Sequence, residues 1–157
     1  MLSNSRPAAV EMSLRASLGG GWELTGHIDL YTEDGIVDDL KTGALPRPYQ
    51  AQLGGYSLLM RSSGYAVSAL STTWIPRVST RKPQPPATRT EFPIGVCERT
   101  AYATINAIRR DADAFEETGD PYVIPANPMS LMCSPKYCPA HGTTFCRLAI
   151  TTQRGDS

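Results

Sequence analysis

The chain predicts an α/β fold, a mixed sheet that opens with a three-stranded meander and carries helices on its faces. Apolar and polar residues alternate with a period of two across residues 10–18 and 22–31, the mark of half-buried strands. Beyond residue 48 the apolar spacing becomes helical twice, with a β-rich stretch between the two runs. Turn residues stand where the period changes: Gly19-Gly20-Gly21, Glu33-Asp34-Gly35, Gly64 and Gly119-Asp120-Pro121.

Val10, Met12, Leu14, Ala16 and Leu18 form the apolar face of the first strand, with Glu11, Ser13, Arg15 and Ser17 on its polar face. The glycine triplet turns it into a second strand, where Trp22, Leu24, Gly26, Ile28 and Leu30 alternate with Glu23, Thr25, His27, Asp29 and Tyr31. Asp29 is thereby expected on the polar side. Ile36 to Lys41 reads as the third strand, and two-residue spacing puts Asp39 and Lys41 on one face. If these last two strands form a hairpin, Asp29, Asp39 and Lys41 share one small volume.

A helix is expected over residues 48–63, with Pro48 in its first turn and Gly64 at its end, and Leu53, Tyr56, Leu59 and Met60 as its apolar stripe. Gly54 and Gly55 inside it each cost about 1 kcal/mol relative to alanine and let another backbone come close. Residues 67–75 (VSALSTTWI) read as a core strand beside the hairpin, ended by Pro76. Residues 77–91 read as a polar loop interrupted by Pro83, Pro85 and Pro86. Its basic cluster of Arg77, Arg81, Lys82 and Arg89 is either a phosphate-contacting flap or a solvated loop. A second helix over 96–118 carries Ala101, Ile105, Ile108, Ala112 and Phe115 at helical spacing, with Cys97 as a buried small hydrophobe. The domain reading is a disordered N-terminus at 1–9, a core at 10–125, a cysteine-rich metal-binding segment at 126–150 and a disordered tail at 151–157. The tail holds Arg154-Gly155-Asp156, read as coincidence.

At 157 residues the chain is one domain's worth. Fifteen basic and fifteen acidic side chains cancel, so no overall field advertises a polyanionic partner. The start MLSNSRPAAVE has no apolar signal region, and no apolar run is long enough to span a bilayer, which gives a cytoplasmic reading in a bacterial or phage-infected cell. Four cysteines in that setting are expected as thiols or metal ligands.

Two carboxylates beside a lysine repel or desolvate one another unless something uses them. A divalent cation, Mg²⁺ or Mn²⁺, removes the difficulty, with Asp29, Asp39 and the carbonyl of Leu40 as oxygen ligands. Lys41 is then placed to act on an attacking water and to offset charge on a phosphate. Glu11 either joins this site or is a solvated edge residue.

Gly26-His27-Ile28-Asp29, followed ten residues on by Asp39-Leu40-Lys41-Thr42-Gly43 and then by Gln52-Leu53-Gly54-Gly55-Tyr56, carries a family resemblance. It resembles the PD-(D/E)xK nuclease superfamily, with Ile28-Asp29 in place of the Pro-Asp pair. Gln52 and Tyr56 are similar to the Q-x-x-x-Y motif of the RecB-like exonuclease branch, which includes CRISPR-associated and many phage exonucleases. The resemblance spans residues 10–146 and is strongest over 26–56. It implies a restriction-endonuclease-like core and metal-dependent hydrolysis of DNA, as an exonuclease in recombination, repair or phage DNA processing. Asp29, Asp39, Lys41, Gln52 and Tyr56 are the implied catalytic residues, the last two positioning the substrate strand. DNA is the implied partner, joined by a helicase or recombination protein or by self-association.

The resemblance also implies a helix ahead of the first strand that supplies a further His or Glu. About nine residues stand there, so the sequence is read as N-terminally truncated. Cys133, Cys138 and Cys146 sit where iron–sulfur members of the branch carry a cluster, though with spacing C-x4-C-x7-C. Three readings stay open: a [4Fe–4S] cluster whose fourth ligand is lost or comes from Cys97 or another chain, a zinc site of Cys133, Cys138, His141 and Cys146, or reduced thiols. Two other functional classes also stay open, a catalytically impaired DNA-binding or assembly module with a structural Zn or Fe–S site, and a small structural metal-binding protein.

Overall fold

The computed structural model of the chain describes residues 6–43, 48–78, 81–120, 123, 133–143 and 146. Five strands and two helices follow in the order β1 (Pro7–Gly19), β2 (Trp22–Thr32), β3 (Ile36–Gly43), α1 (Gln50–Ser62), β4 (Ala69–Pro76), β5 (Thr88–Phe92) and α2 (Ile94–Thr118). The strands make one sheet in the order β1-β2-β3-β4-β5. β1, β2 and β3 form the antiparallel meander, β4 joins β3 in parallel, and β5 returns antiparallel to β4. The fold is thus α/β with a mixed sheet, as the periodicities predict. The chain divides into two compact units, Met1–Ile105 and Asn106–Ser157, a boundary that falls within α2.

α1 supplies the crossover that a parallel β3–β4 pair requires. It ends on a Schellman motif: Gly64 takes a φ of +84°, its N–H donates to the Arg61 carbonyl, and the Tyr65 N–H donates to the Met60 carbonyl. Tyr65 then packs edge-on against Tyr31, whose hydroxyl donates to the Ala66 carbonyl at 2.8 Å. The β2–β3 turn is pinned from the same segment, where the Ser68 N–H donates to the Gly35 carbonyl.

Ile28, Val37, Leu53, Met60, Leu70 and Cys97 are fully buried together, with Tyr31 at their edge. Each large aliphatic among them contributes roughly 1.5–3 kcal/mol on burial. α2 packs on α1 inside this unit: Gly54 faces the Cys97 carbonyl, and the Ser57 hydroxyl donates to Glu98 at 2.7 Å.

Several expectations need correction. β1 begins at Pro7, and the Arg6 carbonyl just ahead of it accepts the Glu33 N–H, so residues 6–9 are held in the fold, whereas the rest of the expected N-terminal disorder, at 1–5, and that of the tail at 151–157 lie outside the described residues. The polar loop ends in a strand, β5, because Thr88, Thr90 and Phe92 favour extended backbone and the edge of β4 was free to receive it. In α2, Ala101 is buried but Ile108 and Phe115 are exposed, so the helical stripe is core only in its first turns. No helix among the described residues is long and apolar enough to cross a membrane.

Candidate active site

Strict alternation holds along β2 as far as Ile28 and then fails, since Tyr31 is also buried. β1 makes the same switch, with Ala9 and Met12 both packed on the core while Val10 is 63% exposed. The expectation that Val10 faces inward and Tyr31 faces the polar side is therefore overturned. Both strands change face at one place, because Val10 pairs with Leu30 and Met12 with Ile28, leaving Glu11 and Asp29 between those rungs. Glu11 takes a φ of +52°, a conformation that costs a side-chain-bearing residue about 1–2 kcal/mol.

This distortion places Asp29. The β2–β3 ladder runs through Tyr31↔Val37 and Leu30↔Asp38, and the next residue on each strand is Asp29 and Asp39. Asp29, half-buried, accepts the Leu40 N–H on Oδ2 at 2.7 Å, which ties the acid of β2 to the backbone between Asp39 and Lys41. Asp39 is 1% exposed, and Lys41 Nζ lies 2.6 Å from its Oδ2. The ammonium meets that oxygen in a short charge-assisted contact. Burial pushes the Asp39 carboxyl above the usual range; Lys41 opposes the shift, while Asp29 and Asp38 add to it.

α1 adds the remaining groups. Gln52 and Tyr56 lie four residues apart on one helical face, and the Gln52 amide donates to the Tyr56 hydroxyl at 2.7 Å and to Asp39 Oδ1 at 3.4 Å. Burial pushes the Tyr56 phenol up, which keeps it protonated. Its oxygen accepts from Gln52, which leaves its O–H as a donor. The structure thus brings Asp29, Asp39, Lys41, Gln52 and Tyr56 together from three elements. Glu11 is exposed on β1, level with Asp29 of β2.

Two flanking aromatics escaped the sequence reading. The Tyr49 ring lies 5.2 Å from Lys41 Nζ, a cation–π contact. Trp74 is the β4 partner of Lys41, and its buried indole N–H has no hydrogen-bond partner among the described residues. An aromatic just before a helix carries no spacing signal, and Trp74 sits in a run readable as core strand. Tyr49→Leu should lower the stability of the fold by about 0.5–1 kcal/mol, the worth of a cation–π contact, whereas Tyr49→Phe should retain it. Denaturant unfolding of both variants decides the point.

Asp38 points away from this site because adjacent strand residues face opposite sides. Its carboxylate accepts from Ser71 Oγ at 2.5 Å and from Thr73 Oγ1 at 2.7 Å, and Arg89 donates to Ser71 Oγ at 3.0 and 3.1 Å. Arg89 is therefore a strand residue occupied on the back of the sheet, which removes it from the expected phosphate-contacting cluster.

In the second unit, residues 133–143 form successive turns: the Cys138 N–H donates to the Ser134 carbonyl, and the His141 N–H to the Cys138 carbonyl. Cys133, Cys138 and Cys146 are free and half-buried, and Cys97 is free and buried. Among the described residues no three His, Cys, Asp or Glu side chains are gathered as metal ligands, at Cys133, Cys138, His141 and Cys146 or elsewhere. No protein-family model matches the chain, and no curated protein or solved structure matches it either.

Proposed function

We propose that this chain is a metal-dependent DNA nuclease that hydrolyses phosphodiester bonds from DNA ends. What supports the reading is the convergence of the buried Asp39 with Asp29, Lys41, Gln52 and Tyr56 from three elements. One ammonium, Lys41, stands beside two carboxylates there, and a bound cation would offset the remaining negative charge. Two aspartates on adjacent strands match the one or two carboxylates by which Mg²⁺ or Mn²⁺ is commonly held. When bound, the cation supplies Lewis-acid polarisation of the phosphodiester.

The chain's own residues do the rest. Lys41 directs its ammonium donors at the attacking water and at the charge that builds on the phosphate. Tyr56 donates its phenolic hydrogen to the substrate backbone, and Gln52 holds that ring through its 2.7 Å hydrogen bond. Asp29 keeps the β3 backbone in place by accepting the Leu40 N–H. Iron–sulfur or zinc binding by the C-terminal cysteines belongs to the same proposal as a structural element; a brown anaerobic preparation supports the cluster, and a colourless one that releases zinc supports the local site.

End-labelled linear DNA incubated with the purified chain and Mn²⁺ or Mg²⁺ tests the reading. Label should be released, chelation should stop the release, and Asp29→Ala should abolish it. Binding of DNA ends without metal-stimulated release would instead identify a non-catalytic binding module.

A further inference from the structure

The two edges of the sheet are guarded very differently. β5 is five residues long and is followed by Pro93, both common means of blocking an edge. β1 is thirteen residues long, and from Met12 to Leu18 it carries no proline, no lysine and no inward-facing charge. β1 is the end strand of the sheet, with no further strand beyond it among the described residues. The β2–β3 ladder stops at Leu30, so residues 12–19 and 22–28 pair only with each other. They form a two-stranded arm roughly 25 Å long. Its core-side face packs on α1, with Gly26 against Leu59 and Tyr56 and with Met12 and Leu14 against the core, so it is the outer edge of β1 that can take a further strand.

We infer that β1 pairs antiparallel with β1 of a second copy of this chain, about a two-fold axis through Ser13. Register and charge together favour this pairing. An antiparallel two-fold pair sets residue i opposite 26 − i when Ser13 faces itself, which puts Glu11 opposite the partner's Arg15 and Arg15 opposite the partner's Glu11. Met12 then meets the partner's Leu14 on the core-side face. Glu11, Ser13 and Arg15 are all exposed, and the face change at residues 10–11 leaves the three on one side. Arg15 already reaches Glu23 at 3.4 Å, so the partner's Glu11 completes an acid–base–acid row. Shifting the axis to residue 15 sets Arg15 against its own copy, which like-charge repulsion opposes. The two arms become one four-stranded ribbon within a continuous sheet, and the inference stands whether or not the chain cleaves DNA.

Sedimentation equilibrium across a wide range of concentrations tests it, with thermal melts to verify folding. Wild type should dimerise. Arg15→Glu and Glu11→Arg should each raise the dimer Kd at least about tenfold, and the double variant, which restores opposite charges in exchanged positions, should recover dimerisation. A folded double variant that stays as weak as the single ones overturns the register, and a wild type that is monomeric throughout overturns the interface. Should the charge variants fail to fold, mild oxidation of Ser13→Cys gives an independent reading. A 13–13 cross-linked peptide identified by mass spectrometry supports the pairing, and its absence from a folded, oxidised sample overturns it.

Discussion

Replacing Lys41 by Ala should reduce the proposed DNA cleavage by about 10²–10⁴-fold, the usual worth of a positioned proton-transfer or charge-stabilising group. The ammonium is 2.6 Å from a buried carboxylate and 5.2 Å from an aromatic face, a setting that holds it at one place rather than leaving it to solvent. Its loss also removes the group that opposes the upward shift of Asp39. With the folded-state pKa raised above the unfolded one, the native state binds a proton more tightly than the unfolded chain does. Stability is then present below the unfolded Asp value and is lost as pH rises from there through the folded one. In Lys41→Ala that loss should deepen by about 1–3 kcal/mol at neutral pH, because a buried carboxylate is left without its partner. Thermal melts at a series of pH values, run beside the nuclease assay, check both parts. The variant should melt well below wild type at pH 7 and converge on it as the solution is acidified. A variant that cleaves at the wild-type rate would remove Lys41 from the mechanism.

The site was legible where it depends on short-range spacing. Asp39 and Lys41 are two apart on a strand, Gln52 and Tyr56 four apart on a helix, and both pairs lie as the periods require. The meander, the crossover helix and β4 were legible for the same reason. Illegible were the features decided by tertiary pairing. Glu11 has no local cause for a positive φ, so alternation carried Val10 and Tyr31 to the wrong sides. Thr88 to Phe92 has strand-forming residues, but only the open edge of β4 makes them a strand. Arg89 looked like one more basic residue of a polar loop until Ser71 and Asp38 claimed it from the neighbouring strand. Asp38 and Asp39 are identical in chemistry and adjacent in sequence, yet alternation sends one to the site and the other to a hydroxyl cage on the back of the sheet.

Adjacent glycines of α1 should respond in opposite directions to the same substitution. A Cβ on Gly54 would lie 2.0 Å from the Cys97 carbonyl oxygen and 2.8 Å from the Ala101 side chain, distances that only a separation of α1 from α2 can relieve. Backbone cannot swing aside as a side-chain tip does, so Gly54→Ala should destabilise the protein by about 3 kcal/mol, at the upper end for an overpacked core. A Cβ on Gly55 meets nothing within 4 Å, and Gly55→Ala should stabilise by up to about 1 kcal/mol through helix propensity alone. Denaturant unfolding of the two variants gives both signs in one experiment. The effect of Gly54→Ala should extend to the chemistry, because α1 carries Gln52 and Tyr56, and a helix displaced from α2 no longer holds them against Asp39. Gly54→Ala as stable as wild type would mean that α1 and α2 do not meet at Cys97, and the helix that presents the two polar groups would then need another support.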